Sequence, residues 1–169
     1  YEPLFIYNSI TSKTVPWLGI NYDWKEKNKI LVIETRKNVS WSDGKAFSAY
    51  DVEFTFNLKK DYPALDVTGN WKYLSNVEAA DSNHVIFTFS RIYVPGFEVI
   101  AGQPIVPKHI WLNINDPVKY QNQNPVGTGP FTEVTLFMPQ VWELSKNPNY
   151  WQEGKPKIQK LRFPAFLSN

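Results

Sequence analysis

Between Val39 and Leu58 the sequence VSWSDGKAFSAYDVEFTFNL leaves the backbone few choices. Ser42-Asp43-Gly44 is a turn, because an Asp carboxylate accepts from backbone N–H groups just downstream and Gly tolerates the positive φ such turns demand. Ser48 then stands where a helix N-cap belongs. Asp51, three residues on, completes a capping box and suits the positive end of the helix dipole. Val52 and Phe56 fall on one face of the helix that follows, from about Ala49 to Lys60. A strand end, a turn and a capped helix are compressed into one short stretch.

The flanking sequence predicts more strand than helix. Lys29 to Arg36 places Ile30 and Val32 on one side of a pleat and Leu31 and Ile33 on the other, the pattern of a strand buried on both faces. Residues 61–69 form a loop broken by Pro63 and Gly69. His84 to Ser90 alternates Val85, Phe87 and Phe89 against His84, Ile86 and Thr88, a second strand. Pro95, Gly96, Gly102, Pro104 and Pro107 exclude one regular element over residues 92–108. Beyond an Asn-rich connector (113–124), Phe131–Leu136 and Val141–Lys146 read as strands paired through Met138-Pro139, and Ile158–Phe163 as a last strand. The expected class is α+β, with a mixed β-sheet and a few helices, in a single domain over residues 1–169. No period of 20 to 50 residues repeats.

Composition narrows the function classes. The 18 basic and 16 acidic residues are scattered and leave +2, so no basic stripe for a nucleic acid exists in the sequence. The absence of cysteine excludes disulfides, a thiolate nucleophile and Cys-ligated metals. Gly127-Thr128-Gly129 is followed by Pro130 and a strand, not by the helix a phosphate loop requires. A metal site needs three or four converging ligands, and with no Cys and no His-x-x-x-His spacing His84 and His109 read as satisfied local hydrogen-bonding residues. Asp43 and Asp51 are accounted for by the turn and the cap, so no catalytic residues, metal or cofactor are expected. The chain opens at Tyr1 and its sole methionine is Met138, which reads as part of a longer polypeptide. Aromatic residues reach 16%, enough both to fill a core and to line a recognition surface.

Four blocks in order carry a resemblance. They are Arg36 to Lys45 with Ser48-Ala49-Tyr50-Asp51-Val52; Ile105-Val106-Pro107-Lys108-His109; Pro125-Val126-Gly127-Thr128-Gly129-Pro130-Phe131; and Asn147-Pro148-Asn149-Tyr150-Trp151 with Gly154-Lys155-Pro156. The chain resembles the extracytoplasmic solute-binding proteins of the peptide, nickel and oligosaccharide class, which deliver ligands to ABC importers. The resemblance implies a non-enzymatic receptor of two lobes, of the type II periplasmic-binding-protein kind, that closes on its solute and docks on a permease outside the cytoplasm. It also implies that this chain is the smaller domain of the first lobe, inserted early in a protein about three times longer, the remainder of which is its partner.

Within that frame the signature residues Trp41, Asp43, Gly44, Ser48, Asp51, Gly127, Gly129, Pro130, Tyr150 and Trp151 read as architecture, with Gly127 and Gly129 giving backbone freedom ahead of Pro130. Tyr62 and Trp71 flank a loop of the kind the family sends toward its cleft, and Gly102 and Gln103 form a second such segment. These four are the ligand-binding candidates. Stacking aromatics beside an amide such as Gln103 favour an oligosaccharide. An oligopeptide receptor of the same family, and an independent carbohydrate-binding or adhesion module, are the alternatives.

Overall fold

The computed structural model describes residues 1–165. The central sheet has the order β3–β4–β6–β5, built from β3 (Gly19–Lys25), β4 (Ile30–Thr35), β5 (Leu74–Ala79) and β6 (His84–Phe89). Two hairpins, β3–β4 and β5–β6, join edge to edge where β4 meets β6. The register sets Leu31 opposite Phe87 and Ile33 opposite Val85, and all four are fully buried. The helix α1 (Ala49–Asp61) covers that face, with Phe56 edge-on to Phe87 at 4.9 Å between ring centroids. Ala49, Val52 and Phe56 form its apolar stripe. Burying a side chain such as Val52 or Phe56 contributes about 1.5–3 kcal/mol, so this helix–sheet contact is a main source of the unit's stability.

The hairpin of β1 (Phe5–Asn8) and β2 (Lys13–Pro16) docks at one side through Leu4, Phe5 and Leu18. Two short helices, α2 (Gly96–Ala101) and α3 (Lys108–Trp111), carry the chain back past α1. A meander of β7 (Phe131–Met138), β8 (Val141–Lys146) and β9 (Lys160–Pro164) forms a third sheet. No helix among the described residues is long and apolar enough to cross a membrane.

The α+β class and the predicted helix stand. In detail, three antiparallel sheets take the place of one mixed sheet among the described residues. Short connections within each hairpin force antiparallel pairing, since a parallel pair needs a long crossover between its strands. Nor is β4 buried on both faces: Leu31, Ile33 and Thr35 point under α1, while Ile30, Val32 and Glu34 are only partly covered. The sequence pattern also passed over β1, β2, β3 and β5. These strands are short or bulged, and the core-facing residues of β5, Leu74 and Val77, are three apart because of a register shift between Leu74 and Asn76.

Candidate functional site

Three polar residues of α1, spaced four apart, form a second buried stripe beside the apolar one: Asp51, Thr55 and Lys59. Each hooks the segment that follows α2. Lys108 N–H donates to Asp51 Oδ1 at 3.0 Å, Val106 N–H donates to Thr55 Oγ1 at 3.0 Å, and Lys59 Nζ donates to Gln103 Oε1. The segment thus descends α1 from residue 108 to 103, one helical turn per rung. The first rung is also the helix cap, where Ser48 N–H donates to Asp51 Oδ2 at 2.9 Å. Burial pushes the Asp51 carboxyl up, against the pull of the Lys108 and Ser48 N–H groups. Burial likewise pushes the Lys59 ammonium down, partly opposed by Asp66.

The last turns of α1 hold the other candidate segment as well. Lys59 Nζ lies 3.9 Å from Asp66 Oδ1. Asp66 in turn accepts from Asn70 N–H at 3.0 Å and from Trp71 N–H at 3.0 Å. Trp71 sits in a single 3₁₀ turn (Asn70–Lys72), half-buried, its indole N–H donating to Phe56 O at 2.7 Å and its ring under Lys60 Nζ at 4.8 Å. Tyr62 caps α1, its N–H donating to Leu58 O. Gly102 ends α2 and is exposed, and Gln103 is partly exposed with its amide donating to Pro104 O at 2.9 Å. Tyr62, Trp71, Gly102 and Gln103 therefore all belong to segments anchored at the C-terminal half of α1. The polar edge of Trp71 is thus already occupied within the fold. Thr55 and Lys59 escaped the sequence reading although their spacing from Asp51 was visible. A polar stripe on a helix is ordinarily solvent-facing, and only the chain folded over it makes it buried.

The four signature blocks meet at one node. Ser42 N–H donates to Gly127 O at 2.9 Å, and Gly127 N–H returns a bond to Ser42 Oγ at 3.3 Å. Asn149 Nδ2 donates to Ser42 O at 3.2 Å, Asn147 Nδ2 to Gly129 O at 2.9 Å, and Asn147 N–H to Pro130 O at 2.8 Å. His109 Nε2 lies 2.7 Å from Asp43 Oδ2, so its bond spans two blocks and is not local. Burial pushes the Asp43 carboxyl up, but hydrogen bonds from His109 and Lys45 outweigh it and hold the group below the usual carboxylate range. Trp41 is fully buried beside Phe47, and Gly44 closes the turn at φ +86°. Gly127 and Gly129 do not adopt positive φ, so the expected backbone freedom is not what they supply.

Glu2 was likewise missed. Its buried carboxylate accepts from Trp17 Nε1 at 2.8 Å, Trp151 Nε1 at 3.1 Å and Tyr150 OH at 3.4 Å. Arg36 stacks on the Trp151 ring at 4.5 Å and donates through Nε to Trp17 O at 2.7 Å. Burial, and then the Glu2 charge, push the Tyr150 hydroxyl far above its ordinary range. No three His, Cys, Asp or Glu side chains converge as metal ligands among the described residues.

A family model described as bacterial extracellular solute-binding proteins, family 5 Middle, matches residues 13–169. The nickel-binding periplasmic protein of Escherichia coli is 27% identical, the match covering 96% of this chain and 31% of that protein. The oligopeptide-binding protein AppA of Bacillus subtilis is 28% identical over 78% of this chain and 25% of its own length. Among solved structures, a periplasmic oligopeptide-binding protein of Thermotoga maritima with mannohexaose bound superposes with a TM-score of 0.90 at 34% identity, covering 99% of this chain and 32% of that one. The chain spans about a third of the length of the curated relatives it matches.

Proposed function

The chain belongs to the family 5 bacterial extracellular solute-binding proteins, and from that premise we propose that it forms part of one lobe of an ABC-importer receptor whose solute is an oligosaccharide. The observation that carries this reading is the mannohexaose held by a relative that matches nearly the whole chain. The local chemistry agrees with it. A sugar ring offers apolar C–H groups on one face and hydroxyls at its edge, and the segments of residues 62–71 and 102–104 offer aromatic surface beside amide groups. The receptor acts by enclosure outside the cytoplasm, not by catalysis: two lobes close, exclude water and present the loaded form to a permease.

An oligopeptide is the second reading, favoured by the names of the matching relatives. Calorimetry on the longer receptor that carries this chain, titrated with mannohexaose and with a nonapeptide, separates the two. Binding of mannohexaose and not of the peptide is the expected outcome, and the reverse replaces the sugar reading. The 169 residues alone should bind neither tightly, because one wall of a cleft buries too little ligand to offset the cost of association. Sub-micromolar binding by the chain alone would establish a self-contained carbohydrate-binding module instead.

A further inference from the structure

The two candidate ligand segments come from different parts of the chain, one between α1 and β5, the other after α2. A recognition surface made of both is useful only if their relative position is fixed, since a polar contact is sensitive to displacements of about an ångström. We propose that Lys59 is the positioning residue that locks them together: its ammonium lies 3.9 Å from Asp66 Oδ1 on one segment and donates to Gln103 Oε1 on the other. The inference rests on the reading of these segments as ligand-facing.

Among the three polar residues of the buried stripe, Lys59 differs from the two above it. Asp51 and Thr55 bind backbone N–H groups of residues 108 and 106, as any scaffold contact does. Lys59 instead joins two side chains, each of which carries its own segment. Asp66 gathers the N–H groups of Asn70 and Trp71, so moving Asp66 moves the Trp71 turn. Gln103 is tied to Pro104 O through its amide, and its own N–H donates to Ile100 O at 3.1 Å, so moving Gln103 moves the turn after α2. An ammonium with three donors in a site only 7% exposed is an expensive group to place there for stability alone. Replacing both members of a buried ion pair by apolar side chains of similar volume is frequently neutral or stabilising. What it supplies that an apolar residue cannot is a hydrogen bond to one segment and a charge attraction to the other.

Side-chain and backbone amide resonances of the ¹⁵N-labelled chain test this without any ligand. In the wild-type sequence, Asp66→Asn should shift the Gln103 side-chain amide, and Gln103→Ala should shift the backbone amides of Asn70 and Trp71. In a Lys59→Met background, both responses should vanish, and the melting temperature should fall because the buried Asp66 carboxylate loses its cation. Cross-talk that is absent in the wild-type sequence, or that persists in the Lys59→Met background, overturns the proposal. The first comparison needs no Lys59 variant, so it stands even if Lys59→Met folds poorly. Mannohexaose titrations of the longer receptor then separate this inference from the reading beneath it. If Trp71→Ala and Gln103→Ala leave affinity unchanged, the segments are not ligand-facing, and a functional role for Lys59 falls with them whatever the resonances show. If those variants weaken binding by about tenfold or more and Lys59→Met does not, the segments stand and Lys59 is excluded as their positioning residue.

Discussion

Gly44 and Gly129 are both turn glycines next to signature residues, and the folded backbone treats them differently. Gly44 sits at φ +86° with open space around an added Cβ, so its side chain is excluded by backbone conformation and not by crowding. Gly129 has no such φ, and an added Cβ would meet only Glu2 Cγ at 3.9 Å, an ordinary contact. Urea denaturation should therefore find Gly44→Ala destabilised by about 1 kcal/mol and Gly129→Ala unchanged or slightly stabilised. A loss at Gly129 as large as at Gly44 would refute this assignment. Tyr150 gives a pH signature. Its hydroxyl is raised by burial and by Glu2 in the folded state, whereas the unfolded chain ionises near its ordinary value of about 10. Deprotonation thus favours unfolding: this contribution is present below pH ~10 and is lost as pH rises beyond it. Tyr1 is raised too and acts in the same direction, so the comparison must be differential. Melting curves from about pH 8 to 11 should fall less steeply for Tyr150→Phe than for the parent chain.

At the scale of elements, α1 does two jobs with two stripes. Its apolar residues hold the central sheet, and its polar residues hold the segment leading into α3. Thr55 isolates the second job, because it accepts from Val106 N–H while donating to Asp51 O at 2.7 Å within its own helix. Thr55→Val keeps the shape and removes the acceptor, leaving a partly buried N–H without a partner. That loss is worth about 1–3 kcal/mol, and Thr55→Ser should recover most of it. If Thr55→Val melts like the parent, the stripe is packing and not hydrogen bonding. The helix bounds themselves were legible in the sequence because caps and periodicity are local. The stripe's burial was not, because it depends on a segment some fifty residues away, as the Thr55–Val106 separation shows.

Across the whole molecule, the β7–β8–β9 sheet stands apart from the central sheet and leaves large apolar groups in solvent. Phe137 is 84% exposed, Met138 58%, and Trp142 stacks on Phe163 at 4.0 Å with both partly open. Contiguous apolar surface of this kind marks an interface, so the isolated chain should self-associate at high concentration. Sedimentation velocity should show this lessened by Trp142→Gln paired with Phe137→Lys; an unaltered monomer for the parent chain would remove the inference. The sequence by itself determined the α+β class, the Ser42–Gly44 turn, the span of α1, strand β4 and the strands from β6 onward, since each follows from neighbours a few residues apart. It also carried the family resemblance, because the four blocks are read one at a time and in order. Only the tertiary structure decided that those blocks close on one node, that Glu2 is gripped by Trp17, Tyr150 and Trp151, and that Lys59 stands between Asp66 and Gln103. The physical reason is common to all three: burial and hydrogen-bond partnership are properties of groups brought together in space, and a polar residue carries no local mark of whether water or a distant part of the chain will satisfy it.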